Sequence, residues 1–199
     1  MSKHLDLGCG DCPRNPFYAT EVIGVEVSDL NNYFQHDSDT RGMCIVKASL
    51  LERLPFPDSS FSSVSAYDVI EHIPRSTIDQ QGFPKYPFIE LMNEVWRVLE
   101  NGGTFIASSP SYPHKSVFQD PTHVNFITED THRYFVGDSP YARRYGFLGC
   151  FSEKFVGWDA PKNAHVPSQP HVRRLVRNIE HSLFRGGISH ITWRFTAIK

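Results

Sequence analysis

His4-Leu5-Asp6-Leu7-Gly8-Cys9-Gly10 decides the fold. Leu5 and Leu7 flank Asp6 as in a short buried strand, and Gly8 and Gly10 then alternate with a small residue. A backbone without Cβ at positions 8 and 10 turns tightly and lies close against a ligand. Nucleotide-type cofactors ask for this at the carboxyl end of a parallel strand. The turn is not a dinucleotide fingerprint, because Pro13 stands where G-x-G-x-x-G needs its third glycine. Nor is it a phosphate-cradling P-loop, since no Gly-Lys-Ser/Thr follows.

Outward from this turn, Glu21 to Val27 is the next strand, apolar at 22, 23, 25 and 27 and acidic near its carboxyl end. Runs apolar on both faces suit a parallel sheet covered by helices. Asp11 to Tyr18, with two prolines, reads as a loop with at most a short helix near Asn15 to Thr20, and Ser28 to Gly42 is polar and irregular. Met43 to Ala48 is a third strand, Phe61 to Ala66 a fourth, and Tyr67 to Ile73 a short helix stopped at Pro74. Arg75 to Pro87 reads as a loop. Phe88 to Leu99 is the clearest helix, apolar at 88, 91, 92, 95, 96 and 99 and closed by Asn101-Gly102-Gly103. Thr104 to Ala107 is a fifth strand, Phe151 to Trp158 a sixth and Ile188 to Ile198 a seventh, the last two in a hairpin-like pattern. Thr128 to Phe135 reads as a capped helix, and His171 to Leu183 as a basic helical piece. The order of elements argues for an α/β protein with a three-layer, doubly wound sheet.

A carboxylate at the end of the second strand suits a ribose. Glu26 lies sixteen residues after Gly10 and can accept from two vicinal hydroxyls. The implied cofactor is nucleoside-like without a pyrophosphate. Five blocks now carry a resemblance: Leu5 to Gly10, Ile23 to Ser28, Leu54 to Phe61, Asp68 to Ile73 and Glu94 to Gly103. In this order and spacing they resemble the successive signatures of class I S-adenosylmethionine-dependent methyltransferases, over about residues 4 to 107. The resemblance implies S-adenosyl-L-methionine as cofactor, S-adenosyl-L-homocysteine as product, and a mostly parallel seven-stranded sheet of order 3-2-1-4-5-7-6. It also implies that Asp6, Gly8, Cys9 and Gly10 surround the methionine end, that Glu26 holds the ribose, and that Val27 packs on the adenine. Ser49 with Leu50 stands where an acidic or polar residue usually meets the adenine amino group, and Ala66 and Tyr67 face the sulfonium side. Residues 1–107 would be the cofactor half of a single domain and 108–199 its substrate half. Family members usually carry helices before the first strand, whereas three residues precede His4 here. An open site, covered by another segment or by a homodimer partner, is therefore expected.

Methyl transfer from a sulfonium needs alignment more than a catalytic triad. His72, in the fourth block, and His123, in the polar stretch after the fifth strand, are the candidates for base or orienting group. His114, Asp120, His123 and His132 carry side chains that suit a metal. Their nine-residue histidine spacing fits no single helix or tight turn, so no metal site is expected. Tyr112, Phe118, Phe126, Tyr134 and Phe135 either line an apolar pocket or bury this aperiodic excursion. Arg143-Arg144, Arg173-Arg174 and Arg177 would suit an anionic acceptor if they were not solvated faces.

The bulk properties exclude more than they select. The 199 residues carry a formal net charge of -2, with no general basic face for nucleic acid and no apolar run near the ~20 residues of a membrane span. Cys9, Cys12, Cys44 and Cys150 read as free thiols of a cytoplasmic protein. Cys9 and Cys12 have redox-motif spacing, but Cys9 belongs to the glycine turn. The expected function is methyl transfer to an O, N or C atom of a small molecule. Competing expectations are a catalytically inactive binding protein of the same fold, and an enzyme acting on protein or nucleic acid.

Overall fold

The computed structural model describes residues 2–28, 43–159 and 188–199. The chain forms β1 (Lys3–Leu7), β2 (Glu21–Glu26), β3 (Met43–Lys47) and β4 (Phe61–Tyr67). A two-residue ribbon, β5 (Thr77–Ile78) with β6 (Pro84–Lys85), precedes helix α1 (Pro87–Val98). β7 (Leu99–Pro110), β8 (Phe151–Asp159) and β9 (His190–Ala197) complete the chain. The large sheet has seven strands in the order β3-β2-β1-β4-β7-β9-β8. β9 is antiparallel to both β7 and β8, and the other neighbours are parallel. With the ribbon left out of the numbering, this is the order 3-2-1-4-5-7-6 of a Rossmann-like methyltransferase fold.

The strands form where apolar runs are buried on both faces. Leu5, Leu7, Val25, Val64, Ala66 and Phe105 are inaccessible, as a covered parallel sheet requires. α1 begins with Pro87 at its first turn and Glu90 near its amino end, and Arg97 lies near its carboxyl end, all favourable to the helix dipole and backbone. It buries Phe88, Leu91, Met92, Val95 and Val98. An aromatic cluster of Phe105, Phe135, Phe147, Phe151, Trp193 and Phe195 extends the core under β7 to β9.

Several expectations on the connections are corrected. Asn101-Gly102-Gly103 does not close the helix: Leu99 is already extended, and the chain passes from α1 into β7 through a bulge between Leu99 and Thr104. Gly102, at φ +81°, supplies the left-handed residue of that bulge. The helix expected from Thr128 to Phe135 shortens to a 3-10 turn over Thr131–Tyr134. The Thr128 and Thr131 hydroxyls bond to each other at 3.1 Å, and Thr131 Oγ1 accepts the Thr128 amide at 2.9 Å. These side chains offer the backbone a local alternative to a helix. The stretch 11–20 is the loop expected and carries no helix at 15–20, because the Asn15 side chain accepts the Ala19 amide and donates to the Ala19 carbonyl (2.8 and 3.0 Å). The segment from Tyr67 is a 3-10 turn over Ile70–His72. The polar stretch beyond Ser28 and the basic piece at 171–183 lie outside the described residues.

Candidate active site

Leu7 is level with Val25 on one side and Ala66 on the other, so the carboxyl ends of β1, β2 and β4 open on one crevice where the strand order reverses. Gly8 and Gly10 both have φ +60°. A Cβ on Gly8 would sit 2.4 Å from Val69 Cγ2, while one on Gly10 would meet nothing within 4 Å. The first glycine is thus demanded by packing and the second by conformation beside open space. Gly24 makes room for the turn from β2, since a Cβ there would lie 2.4 Å from Cys9 Sγ. Burial, with the Asp6 and Glu26 charges, pushes the Cys9 thiol up to about 12, so it packs as a neutral thiol.

Glu26 ties the crevice together. Its Oε2 accepts the Gly10 amide (3.1 Å), and its Oε1 accepts those of Val27 (2.8 Å) and Ser28 (3.2 Å). Beside it lies a cavity of about 350 Å³ lined by Gly8, Val25, Glu26, Val27, Ser49, Leu50 and Leu51, and by Asp68, Val69, His72 and Ile73 after β4. A carboxylate next to exposed Val27 and Leu51 matches a nucleoside with vicinal hydroxyls and an apolar base. Of the residues expected here, Gly8, Glu26, Val27, Ser49 and Leu50 line the cavity, while Gly10 adjoins it through Glu26. Asp6 and Cys9 support the turn from behind. Ala66 and Tyr67 are buried at the end of β4, and their successors Asp68 and Val69 reach the cavity.

Asp6 is fully buried and belongs to a relay. Its Oδ2 accepts the Arg14 amide at 2.8 Å and its Oδ1 the Ser65 hydroxyl at 2.5 Å, while Ser65 Oγ is 2.9 Å from His4 Nε2. With its proton given to Asp6, the Ser65 oxygen accepts from His4 Nε2–H, leaving His4 Nδ1 to accept from Ser63 at 2.7 Å. Burial lowers His4 to about 4 and raises Asp6 to about 6. The two groups act oppositely on stability. Between pH 6.5 and 4 the unfolded chain protonates its histidine while native His4 resists, so acid costs stability; over the same range native Asp6 takes up a proton before its unfolded counterpart, so acid restores it. Each contribution spans roughly 3 kcal/mol and they nearly cancel. Asp6→Asn removes one side of the balance. Its unfolding free energy in urea should fall by about 2 kcal/mol more than that of the wild type between pH 6.5 and 4; parallel pH profiles would refute the pairing.

Beyond β4 the backbone is strained at the point of interest. Asp68 has φ +56°, an uncommon conformation for a residue with a side chain. Its amide donates to the Ser108 carbonyl (2.9 Å), and its Oδ1 is 2.7 Å from Nε2 of His190, whose Nδ1 meets Ser189 Oγ at 2.7 Å. A second cavity of about 530 Å³ opens here, lined by Asp68, Glu71, His72, Pro110, Ser116, Gln119, Asp120, Pro121, His123 and His190. Asp68 and His72 are common to both cavities.

The segment 120–126 is stitched against the turn at 70–72. The Val124 and Asn125 amides both donate to the Glu71 carbonyl at 2.9 Å, Asn125 Nδ2 donates to the Ile70 carbonyl at 2.9 Å, and Arg75 binds Asn125 Oδ1 and the Phe126 carbonyl. This brings His123 to His72, with ring centroids 4.9 Å apart at 75°. Glu71 is only 2% exposed, and burial, with the Asp68 and Asp120 charges, pushes its carboxyl up to about 8. Sequence reasoning passed over Glu71, Asp68 and His190 as site residues.

Other candidates do not converge. His114 Nδ1 bonds to Ser116 Oγ at 2.8 Å, and His132 Nε2 lies 3.2 Å from Glu153 on another face. The five aromatic residues line no common pocket: Phe118 pairs with Phe126, Phe135 is buried in the core, Tyr134 packs on Tyr141, and Tyr112 is exposed. Arg143 and Arg144 are exposed on a 3-10 turn, and the remaining arginine pairs lie outside the described residues.

The sequence matches the methyltransferase domain family over residues 5–107, from β1 into β7, just over half of the chain. The chain belongs to the class I S-adenosylmethionine-dependent methyltransferases. Solved structures share the fold of this methyltransferase. A Haloferax volcanii methyltransferase in complex with the Trm112 methyltransferase activator aligns with TM-score 0.60 and 15% identity, over 100% of this chain and 83% of that one. An S-adenosylmethionine-dependent methyltransferase from Archaeoglobus fulgidus gives 0.56 and 18%, over 98% and 86%. The geranyl diphosphate C-methyltransferase of Streptomyces coelicolor, solved with Mg2+, geranyl diphosphate and S-adenosyl-L-homocysteine, gives 0.57 and 12%, over 100% and 71%. No curated protein sequence matches this methyltransferase. Its cofactor is S-adenosylmethionine, and no helix among the described residues is long and apolar enough to cross a membrane.

Proposed function

We propose that this methyltransferase acts on an O, N or C atom of a small-molecule acceptor held in the 530 Å³ cavity. The observation that supports this reading is the meeting of the two cavities at Asp68 and His72. When bound, the cofactor supplies a methyl group on a sulfonium, which an acceptor lone pair displaces in line, leaving S-adenosyl-L-homocysteine. Glu26 holds the ribose hydroxyls, while Val27 and Leu50 flank the base. Asp68 is fixed at the junction by its left-handed backbone and by His190. His72 and His123 orient the acceptor and take its proton where the nucleophile must lose one. A homodimer partner would cover the exposed Val27 and Leu51, and sedimentation of the purified protein tests that cover.

His123→Ala separates the two cavities functionally. With a small molecule that the wild type methylates from labelled cofactor, the variant should lose about 10²-fold in kcat/KM, the scale of a lost acid-base group. Its calorimetric affinity for S-adenosylmethionine should stay within twofold. Equal loss of cofactor affinity would move His123 to the other cavity, and labelling confined to protein or nucleic acid would overturn the small-molecule reading.

A further inference from the structure

We propose that Glu71, His72 and His123 bind one divalent transition cation, of the zinc and cobalt class, inside the acceptor cavity. One carboxylate oxygen of Glu71 and one ring nitrogen from each histidine lie within 4.8 Å of one another. Ligands about 2.0–2.2 Å from a tetrahedral metal stand roughly 3.4 Å apart, so closure around an ion needs a contraction of about 1.5 Å at most. Side-chain rotation of Glu71 and the two histidines would have to supply it, since the 120–126 backbone is tied to the Glu71 and Ile70 carbonyls.

Two further observations point to a ligand. Glu71 is 2% exposed, and neither of its carboxylate oxygens makes a well-formed hydrogen bond, the donors nearest to it being its own amide and the Ser109 hydroxyl. The Ser109 hydroxyl lies near enough to favour the charged carboxylate but is directed to the Pro110 carbonyl at 3.3 Å. A buried carboxylate without well-formed hydrogen bonds is costly and calls for a cation or a proton. The histidines are also set in the tautomer that a metal needs. His123 Nδ1–H donates to the Val117 carbonyl (3.0 Å). Thr122 gives its hydroxyl proton to Asp120 Oδ1 (2.7 Å), so its oxygen accepts from His72 Nδ1–H at 2.9 Å. In the neutral rings Nε2 is then the nitrogen left to bind an ion, with Nδ1 fixed by a carbonyl in one case and a hydroxyl-carboxylate pair in the other, as in metal-bound imidazoles.

Two imidazoles and one carboxylate suit zinc, cobalt and their neighbours and leave coordination positions open. An acceptor oxygen in an open position would be held beside Asp68 and made more acidic; with the ion bound, His72 and His123 serve as its ligands in place of taking the proton, which passes to solvent. The acceptor class thereby narrows to a hydroxyl compound that can ligate a cation. This role rests on the acceptor-site reading above, whereas cation binding itself does not.

The test uses the tag-free, metal-stripped full chain without cofactor, titrated with Co2+ by visible absorption and with Zn2+ by calorimetry. One equivalent should bind. His123→Ala and Glu71→Gln, each shown folded by circular dichroism, should weaken binding at least 30-fold, and His132→Ala should leave it unchanged. Absence of saturable binding to the wild type, or equal affinity in whichever of the two variants folds, overturns the proposal. S-adenosylmethionine titrated into the same sample separates the two readings: cofactor binding without Co2+ binding removes the cation site alone, and Co2+ binding without cofactor binding removes only the methyl-transfer role.

Discussion

Arg97→Ala should cost about 3–5 kcal/mol of folding stability, the scale of breaking a largely buried, hydrogen-bonded ion pair. The Arg97 side chain is 12% exposed, and its guanidinium makes five hydrogen bonds. Nε and Nη2 take the two oxygens of Glu94 (2.8 and 2.7 Å), Nη1 takes the Phe56 carbonyl (2.8 Å) and Asp58 (2.7 Å), and Nη2 also takes the Leu54 carbonyl (3.1 Å). Glu94 Oε2 in turn accepts the Leu54 amide at 2.8 Å. The last turn of α1 thus holds the whole turn before β4, and the Arg97 and Val98 carbonyls accept the Ser59 and Ser60 amides as well. Removal leaves Glu94, 17% exposed, with the Leu54 amide alone and takes the donor from the Phe56 carbonyl, whereas the Leu54 carbonyl keeps the Phe56 amide at 2.8 Å. Asp58 adds little, being well exposed. Arg97→Lys keeps the charge without the fork and should recover less than half of the loss. Urea unfolding followed by circular dichroism reads both variants; a loss under about 1 kcal/mol for Arg97→Ala would mean that the turn is held by its apolar contacts alone.

Glu26→Ala should weaken S-adenosylmethionine binding about 100-fold, close to 3 kcal/mol, because two charge-assisted hydrogen bonds to the ribose would be lost together. Its three amide partners add a smaller structural cost. Without the carboxylate, the Gly10, Val27 and Ser28 amides lose their acceptor, and the crevice loosens by about 1 kcal/mol as these partly exposed groups turn to water. Glu26→Gln keeps one acceptor oxygen and should fall between, near tenfold. Calorimetry on the three proteins decides: unchanged affinity in Glu26→Ala would sink the ribose assignment.

The sheet was legible because β1, β2 and β3 are short, mostly apolar runs and β9 alternates, and because Gly8, Gly10 and Glu26 sit at strand ends where few residue types fit. Legibility failed where structure depends on distant partners. The bulge at Glu100 to Gly103 looks like a helix cap until β4 pairs with both sides of it. Thr128 promised a helix from local pattern alone, yet its hydroxyl found Thr131. Glu71 reads as one more charged residue beside His72, and only the docking of 120–126 over the turn shows it to be enclosed. His190 meets Asp68 across 122 residues, a separation no local periodicity can reveal.

The place of β9 in the sheet sets the order in which this enzyme can become active during synthesis. β1 to β4 and β7 can pair as they leave the ribosome, so the cofactor crevice can take shape early. Among the described strands, β8 pairs only with β9, and β9 also carries the histidine that anchors Asp68. The acceptor side must therefore wait until residues 190–197 have emerged. A nascent chain paused before that point would have the Gly8 to Gly10 turn and Glu26 in place but lack the anchor on Asp68, where the two cavities meet.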